Sequence, residues 1–146
     1  RYDSLIRGWT RYWNEVLKPL DPLDPNIIKA LIATESSFNP TEWNKIRGSG
    51  SAHGLMQVTK KSVQLLNSPI ELRDHFIELD NDDMLDPNLS ICAGIRWLFR
   101  KREIAQSRSK KAVTWRDAII LYKDAKTGDI LMRRFDENYD ELRGLK

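Results

Sequence analysis

Two Asp-Pro pairs, Asp24-Pro25 and Asp86-Pro87, each stand immediately before apolar residues with helical spacing. An aspartate can cap the first turn of a helix, and proline fits the first helical position because no N–H is needed there. The first pair predicts a helix that continues to Glu35, and the second predicts a long helix to about residue 106. Together they favour a mainly α chain.

Signals for further helices recur along the rest of the chain. Apolar residues recur with helical spacing over residues 2–17, and threonines that can cap a helix precede the apolar segments 60–66 and 115–122. Further helices are expected over residues 68–76 and 129–142. Residues 38–53 are rich in Asn, Pro, Gly and Ser and are predicted to be loop, as is the acidic segment 80–83. No segment shows a convincing alternating strand pattern.

The 146 residues are typical of one domain, and we expect a single compact domain over residues 1–146. No stretch approaches the ~20 apolar residues that span a bilayer. Cys92 is the only cysteine and is expected to be a buried structural thiol. With only two histidines, His53 and His75, we expect no metal site. The net charge of +3 suits a polyanionic partner without identifying one.

Glu35 follows a small apolar turn, residues 30–33, at the predicted end of its helix. A carboxyl that projects from there into a cleft would be partly desolvated, which favours its protonated form. A general acid working at neutral pH needs that form. Taken alone, however, a solvated glutamate at a helix end is the simpler interpretation.

A turn of small residues follows Glu35 over residues 48–57. Gly48, Gly50 and Gly54 would let the backbone approach a ligand or another helix closely. Met56 offers an adaptable apolar contact, and Gln57 offers both a donor and an acceptor. By itself this segment would be interpreted as a tight turn with a core methionine.

The combination is more specific than either part. Glu-Ser-Ser-Phe-Asn-Pro from Glu35, followed by Gly-Ser-Ala-His-Gly-Leu-Met-Gln up to Gln57, resembles the lytic transglycosylases of the soluble-lytic-transglycosylase (SLT) type, related to goose-type lysozymes. The helix expected after Asp86 looks like the family helix that follows these motifs. The helix ending at Tyr122 resembles, more loosely, the one that carries the family's tyrosine. The resemblance covers about residues 26–123.

The resemblance implies a lysozyme-like helical domain with a substrate cleft and no cofactor. Glu35 matches the single catalytic acid/base, Gln57 a cleft residue, and Tyr122 a tyrosine near the acid. The substrate would be the peptidoglycan glycan strand, cut between N-acetylmuramic acid and N-acetylglucosamine with a 1,6-anhydro product. The candidate substrate-binding residues are Ser37, Ser49, Ser51, Gly54, Met56, Gln57 and Tyr122.

The chain departs from the family pattern after Tyr122, where Lys123-Asp124-Ala125 replaces the family's Asn-Ala-Gly. Lys123 could pair with Glu35 or with a carboxylate of the substrate. The position of the family's serine is also open, because Ser49 and Ser51 are both candidates.

Three alternatives remain at this point. If an aspartate of the segment 80–83 reached the cleft, it could hold a water and make the enzyme a hydrolytic muramidase, a two-carboxylate arrangement. A nucleic-acid-binding module would use a basic cluster, although no base-reading motif accompanies it. A wall-binding relative without catalysis is disfavoured by the intact Glu35. The basic cluster consists of Arg96, Arg100, Lys101, Arg102, Arg108, Lys110 and Lys111.

The resemblance also implies a setting. The enzyme would act in the periplasm or cell wall, reached by export, secretion or phage delivery. Delivery as a toxin would imply a cognate inhibitor or immunity protein. We expect no nucleic-acid partner and no membrane span.

Overall fold

The computed structural model describes residues 1–46, 48, 50–123 and 130–144, apart from the side chains of residues 130 and 131. The described part is mainly helical, which confirms the predicted fold class. Its α-helices are α1 (Asp3–Leu17), α2 (Pro25–Ser36), α3 (Lys60–Leu66), α4 (Pro69–Leu72), α5 (Pro87–Ser107), α6 (Trp115–Tyr122) and α7 (Ile130–Leu142). That the whole chain forms one domain stays a prediction.

The predicted caps start their helices. The Asp24 carboxylate accepts a hydrogen bond from the Asn26 backbone N–H at 2.9 Å, and Asp86 accepts from that of Leu89 at 3.1 Å. Each cap satisfies an amide that has no partner within its helix. Thr59 and Thr114 cap α3 and α6 in the same way.

A small antiparallel sheet corrects the prediction of loop over residues 38–53. Its strands are β1 (Trp43–Ile46), β2 (Gly50–His53) and β3 (Val58–Thr59), in the order β1-β2-β3, with Trp43 opposite His53 and Ile46 opposite Gly50. All four residues of β1 are exposed, so neither of its faces needs to be apolar. The strand therefore lacks the alternation by which a half-buried strand is recognised.

Two further segments differ from their predictions. The helix expected over residues 68–76 ends at Leu72, because Arg73 adopts a positive φ of 55° that a right-handed helix cannot continue through. The acidic segment expected to be loop contributes to a 3-10 helix, Asn81–Leu85. Its start is stabilised by the Asp83 carboxylate, which accepts a hydrogen bond from the Asp80 backbone N–H at 2.8 Å.

Helix α5 lies at the centre of the core, and every residue from Ser90 to Phe99 is buried. Helices α1, α3 and α6 pack around it, and α7 packs on α2. The Trp13 indole N–H donates to the Cys92 carbonyl at 3.1 Å, which joins α1 to α5. Burial raises the pKa of the Cys92 thiol to about 11, as expected of a structural cysteine.

Candidate active site

Glu35 lies in the last turn of α2, whose end is fastened to the segment that follows β2. The Ser36 hydroxyl donates to the Leu55 carbonyl at 2.8 Å. Ser37 then adopts a left-handed conformation with φ of 51°, which ends the helix. This hydrogen bond, made by the residue next to Glu35, holds the helix end against the turn that carries Gln57.

The other side of α2 is fastened by α7. The Asn138 amide donates to the Thr34 hydroxyl at 3.0 Å, and the Tyr139 hydroxyl donates to the Asp24 carboxylate at 3.0 Å. One contact lies beside Glu35 in sequence and the other at the start of the helix. Helix α7 therefore supports the element that presents the carboxyl, a role that the sequence did not indicate.

Gly54 and Met56 lie behind the site. Gly54 is buried with φ of 79°, and a Cβ there would overlap the backbone carbonyl of Met84. Met56 is 0% exposed, and a Cβ at Gly94 would lie 2.5 Å from its sulfur. The two glycines allow the turn to approach α5 and the 3-10 helix closely. The structure thus places Met56 in the core, where its side chain cannot reach a sugar in this conformation.

Gln57 is held by three hydrogen bonds at the edge of the sheet. Its amide nitrogen donates to the carbonyls of Gly54 at 3.0 Å and Glu42 at 3.2 Å, and its amide oxygen accepts from the Asn44 side chain at 2.8 Å. These contacts hold a residue whose backbone has an uncommon positive φ of 51°. Asn44 has no recognisable signal in the sequence, because its pairing with Gln57 depends on strand β1.

Glu35 forms a largely buried ion pair at the site. The Lys123 ammonium donates to Glu35 Oε1 at 2.7 Å. The Lys123 side chain is 3% exposed and that of Glu35 is 18% exposed. Of the two partners considered for Lys123 from the sequence, the structure shows the carboxylate of Glu35.

Tyr122 lies next to this pair, and its hydroxyl donates to the Met56 carbonyl at 2.7 Å. Burial of the hydroxyl, and then the nearby negative charge of Glu35, raise the pKa of Tyr122 well above its ordinary value. The side chain is therefore a neutral donor at physiological pH. It links α6 to the turn before Gln57.

Removing that hydroxyl should destabilise the fold. We expect Tyr122→Phe to lower the free energy of unfolding by about 1–2 kcal/mol, because the Met56 carbonyl loses its buried partner. Chemical denaturation followed by circular dichroism measures this. The matched control is Tyr12→Phe at a 46% exposed tyrosine, where the change should stay below about 0.5 kcal/mol. Equal stabilities of the two variants would contradict the assigned hydrogen bond.

A cleft of about 500 Å³ opens beside Glu35. It brings together three of the predicted site residues, Glu35, Gln57 and Tyr122, with Asn44 and Lys123. Ser37, Ser51, Gly54 and Met56 are not among its described lining residues. Ser37 is exposed at the helix end, and the Ser51 hydroxyl shares a 2.8 Å hydrogen bond with His53 Nε2. Ser49 lies outside the described residues.

A larger groove of about 830 Å³ lies between the end of α1 and helices α5 and α6. Leu20, Val113 and Trp115 are among its largely apolar lining. None of the predicted site residues that the structure describes lines it. The smaller cleft is the better candidate for a reaction site, because it contains the buried ion pair and the polar side chains.

Comparison with known families identifies the family of the chain. A sequence model of the family described as the transglycosylase SLT domain matches residues 18–115, about two thirds of the chain. The chain belongs to this family. The match includes Glu35 and Gln57, whereas Tyr122 and Lys123 follow its end. Membership makes this SLT domain an enzyme of the peptidoglycan-transglycosylase type, which acts on the cell wall. No curated protein and no solved structure matches the chain significantly.

The aspartates considered for a hydrolytic mechanism lie elsewhere in the SLT domain. Asp80 and Asp83 line a small pocket beside Asn67 and Glu78, and the Asp83 carboxylate is used within the 3-10 helix. The described residues that line the cleft include no aspartate.

Three arginines of the basic cluster considered for nucleic-acid binding are used within the fold. Arg96 is 2% exposed and donates to two backbone carbonyls. Arg100 pairs with Glu71, and Arg102 pairs with Asp21. These three arginines therefore stabilise contacts of α5 with its neighbours and do not form an open basic face.

The described residues contain neither a candidate membrane span nor a candidate metal-binding cluster. None of the helices there combines the length and the apolar character needed to cross a bilayer. The same residues contain no group of three or more His, Cys, Asp or Glu side chains that could hold a metal ion.

Proposed function

We propose that this SLT domain is a lytic transglycosylase that cuts the glycan between N-acetylmuramic acid and N-acetylglucosamine, with Glu35 as the only catalytic carboxyl. The observation that carries the proposal is the composition of the cleft. Among its described lining residues Glu35 is the only acidic one, and it lies at the end of a helix that is fastened on both sides. A two-carboxylate mechanism would need a partner in the same cleft.

The proposed reaction moves one proton out of Glu35 and one back. Protonated Glu35 donates to the glycosidic oxygen while the bond from C1 of muramic acid to that oxygen breaks. The 2-acetamido group of the substrate stabilises the oxocarbenium-like centre, a known exception to the two-carboxylate scheme. The Glu35 carboxylate then takes the proton of the muramic acid 6-hydroxyl while O6 bonds to C1. The products are a free 4-hydroxyl on N-acetylglucosamine and a 1,6-anhydromuramic acid end, and no water is consumed.

The proposal supports specific roles for three neighbours of Glu35. Gln57 and Asn44, linked by a hydrogen bond, would contact the sugars beside the cleaved bond. Tyr122 would hold the turn below them. Service as a delivered toxin with a cognate inhibitor stays a prediction.

Digestion of purified sacculi tests the proposal. Mass spectrometry should find the new muropeptide ends as 1,6-anhydromuramic acid, without the matching reducing ends. If every new end were a reducing sugar, the hydrolytic alternative would replace the proposal. If sacculi and peptide-free glycan strands both remained intact under conditions where a reference lysozyme digests them, both mechanisms would be contradicted.

A further inference from the structure

The cleft carries more positive than negative charge. Its described lining residues include Lys61, Lys101 and Lys123 but one acidic residue, Glu35. The Lys101 ammonium lies 5.1 Å from the centre of the Trp97 ring, a cation–π contact on the cleft wall. Lysines therefore outnumber carboxylates among the described lining residues, which favours an anionic ligand.

Lys123 differs from the other two because it is buried. Its side chain is 3% exposed, and its ammonium contacts Glu35 Oε1 at 2.7 Å. A buried ammonium without an anionic partner is costly, since neither water nor a counter-ion replaces the lost solvation. In the free enzyme the carboxylate of Glu35 provides that partner.

The proposed reaction removes this partner. Glu35 can donate a proton only in its neutral acid form, and that form no longer balances the charge of Lys123. The buried ion pair and the active acid therefore exclude each other. For the acid to form at low cost, another anion has to reach the ammonium when the substrate binds.

We propose that Lys123 is a specificity-determining residue that binds the lactyl carboxylate on O3 of muramic acid. This deepens the proposed function and rests on it. In strands that carry stem peptides, this carboxyl is joined to the peptide as an uncharged amide. It is a carboxylate only after the peptide has been removed. The preferred substrate is therefore a peptide-free glycan strand, and the class of reaction that supplies it is hydrolysis of the lactyl amide.

The charge and proton balance of the binding step is simple. The lactyl carboxylate replaces Glu35 as partner of the Lys123 ammonium, and Glu35 takes one proton from solvent. The pair keeps its net charge of zero, and Glu35 becomes the acid that the next step needs. Lys123 itself neither gains nor loses a proton.

Two substrates that differ only in this group test the proposal. One is peptide-free glycan with free lactyl carboxylates, and the other is the same glycan after conversion of those carboxyls to methylamides. We expect the wild-type domain to show kcat/KM about thirtyfold or more higher on the free carboxylate, the range for loss of one partner of a buried charge pair. Lys123→Met should reduce this preference to about twofold or less, and Lys123→Arg should retain much of it, because the positive charge is kept.

The matched control is Lys110→Met, which removes an exposed lysine outside the cleft lining and should keep the wild-type preference. Equal cleavage of both glycans by the wild-type domain would overturn the inference and leave the proposed function intact. Cleavage of neither glycan would contradict the proposed function itself. A preference that persists in Lys123→Met would assign the carboxylate to another residue. If Lys123→Met does not fold, the wild-type comparison and Lys123→Arg still test the inference. The arginine variant retains the positive charge, so loss of the preference in that variant would contradict the inference.

Discussion

Glu35→Gln should lower the rate of sacculus digestion about a hundredfold to ten-thousandfold, the usual contribution of a general acid. Glutamine has nearly the same shape but carries no proton that can be transferred to the glycosidic oxygen. Its side-chain oxygen can still accept from Lys123, so the position of the helix end is kept. The release of soluble muropeptides, followed over time at equal concentrations of folded protein, measures the effect.

Loss of the ion pair should also lower the stability of the fold, and this effect has to be separated from the effect on catalysis. Glu35→Gln leaves the Lys123 ammonium buried without a charge partner, and we expect it to lower the free energy of unfolding by about 1–3 kcal/mol. The double variant Glu35→Gln/Lys123→Met removes the unbalanced charge and should regain part of that stability without regaining activity. Glu15→Gln, at an exposed residue of α1, should change neither. A stable double variant with near wild-type activity would show that Glu35 serves the fold and not the reaction.

Gly54→Ala should be the most destabilising single change in the turn before Gln57. An added Cβ would overlap the Met84 carbonyl, and backbone on both sides of the contact leaves little room to move. The positive φ of 79° adds strain for any residue with a side chain. We expect a loss of at least about 3 kcal/mol, which corresponds to a fall in the unfolding temperature of about 10 °C.

Gly8→Ala provides the matched control for that substitution. Gly8 lies within α1, and a Cβ there would meet no atom within 4 Å. Because alanine is the better helix former, this variant should be stabilised by about 0.5–1 kcal/mol. Thermal unfolding of both variants gives the comparison. If Gly54→Ala melted at the wild-type temperature, the close approach of the turn to the 3-10 helix would be wrong.

The helices could be predicted because their signals are local. Asp24, Thr59, Asp86 and Thr114 each cap a helix with a bond to an amide two or three residues ahead, so the sequence contains both partners. Strand β1 could not be predicted, because its stability comes from pairing with β2 and its side chains are exposed on both faces. The early end of α4 depends on the left-handed backbone at Arg73, for which the residue type provides no signal.

The candidate site likewise combines residues that local sequence patterns predict with residues that depend on tertiary contacts. Glu35 and Gln57 were found through short motifs whose spacing reflects the fastening of α2 to the turn by Ser36. Met56 belongs to the same motif but points into the core, and only the packing against Gly94 shows this. Asn44 was missed because it contacts Gln57 across the sheet. The support from α7 links positions about a hundred residues apart, beyond the reach of any local pattern.

The central claim is that Glu35 acts with the substrate's own 6-hydroxyl and without water. Digestion of sacculi in water enriched in heavy oxygen, followed by mass spectrometry of the muropeptides, tests it most directly. The account predicts new muramic acid ends in the anhydro form that carry no heavy oxygen. Reducing ends that contain heavy oxygen at C1 would contradict the account, because they would show that a water molecule had attacked the sugar.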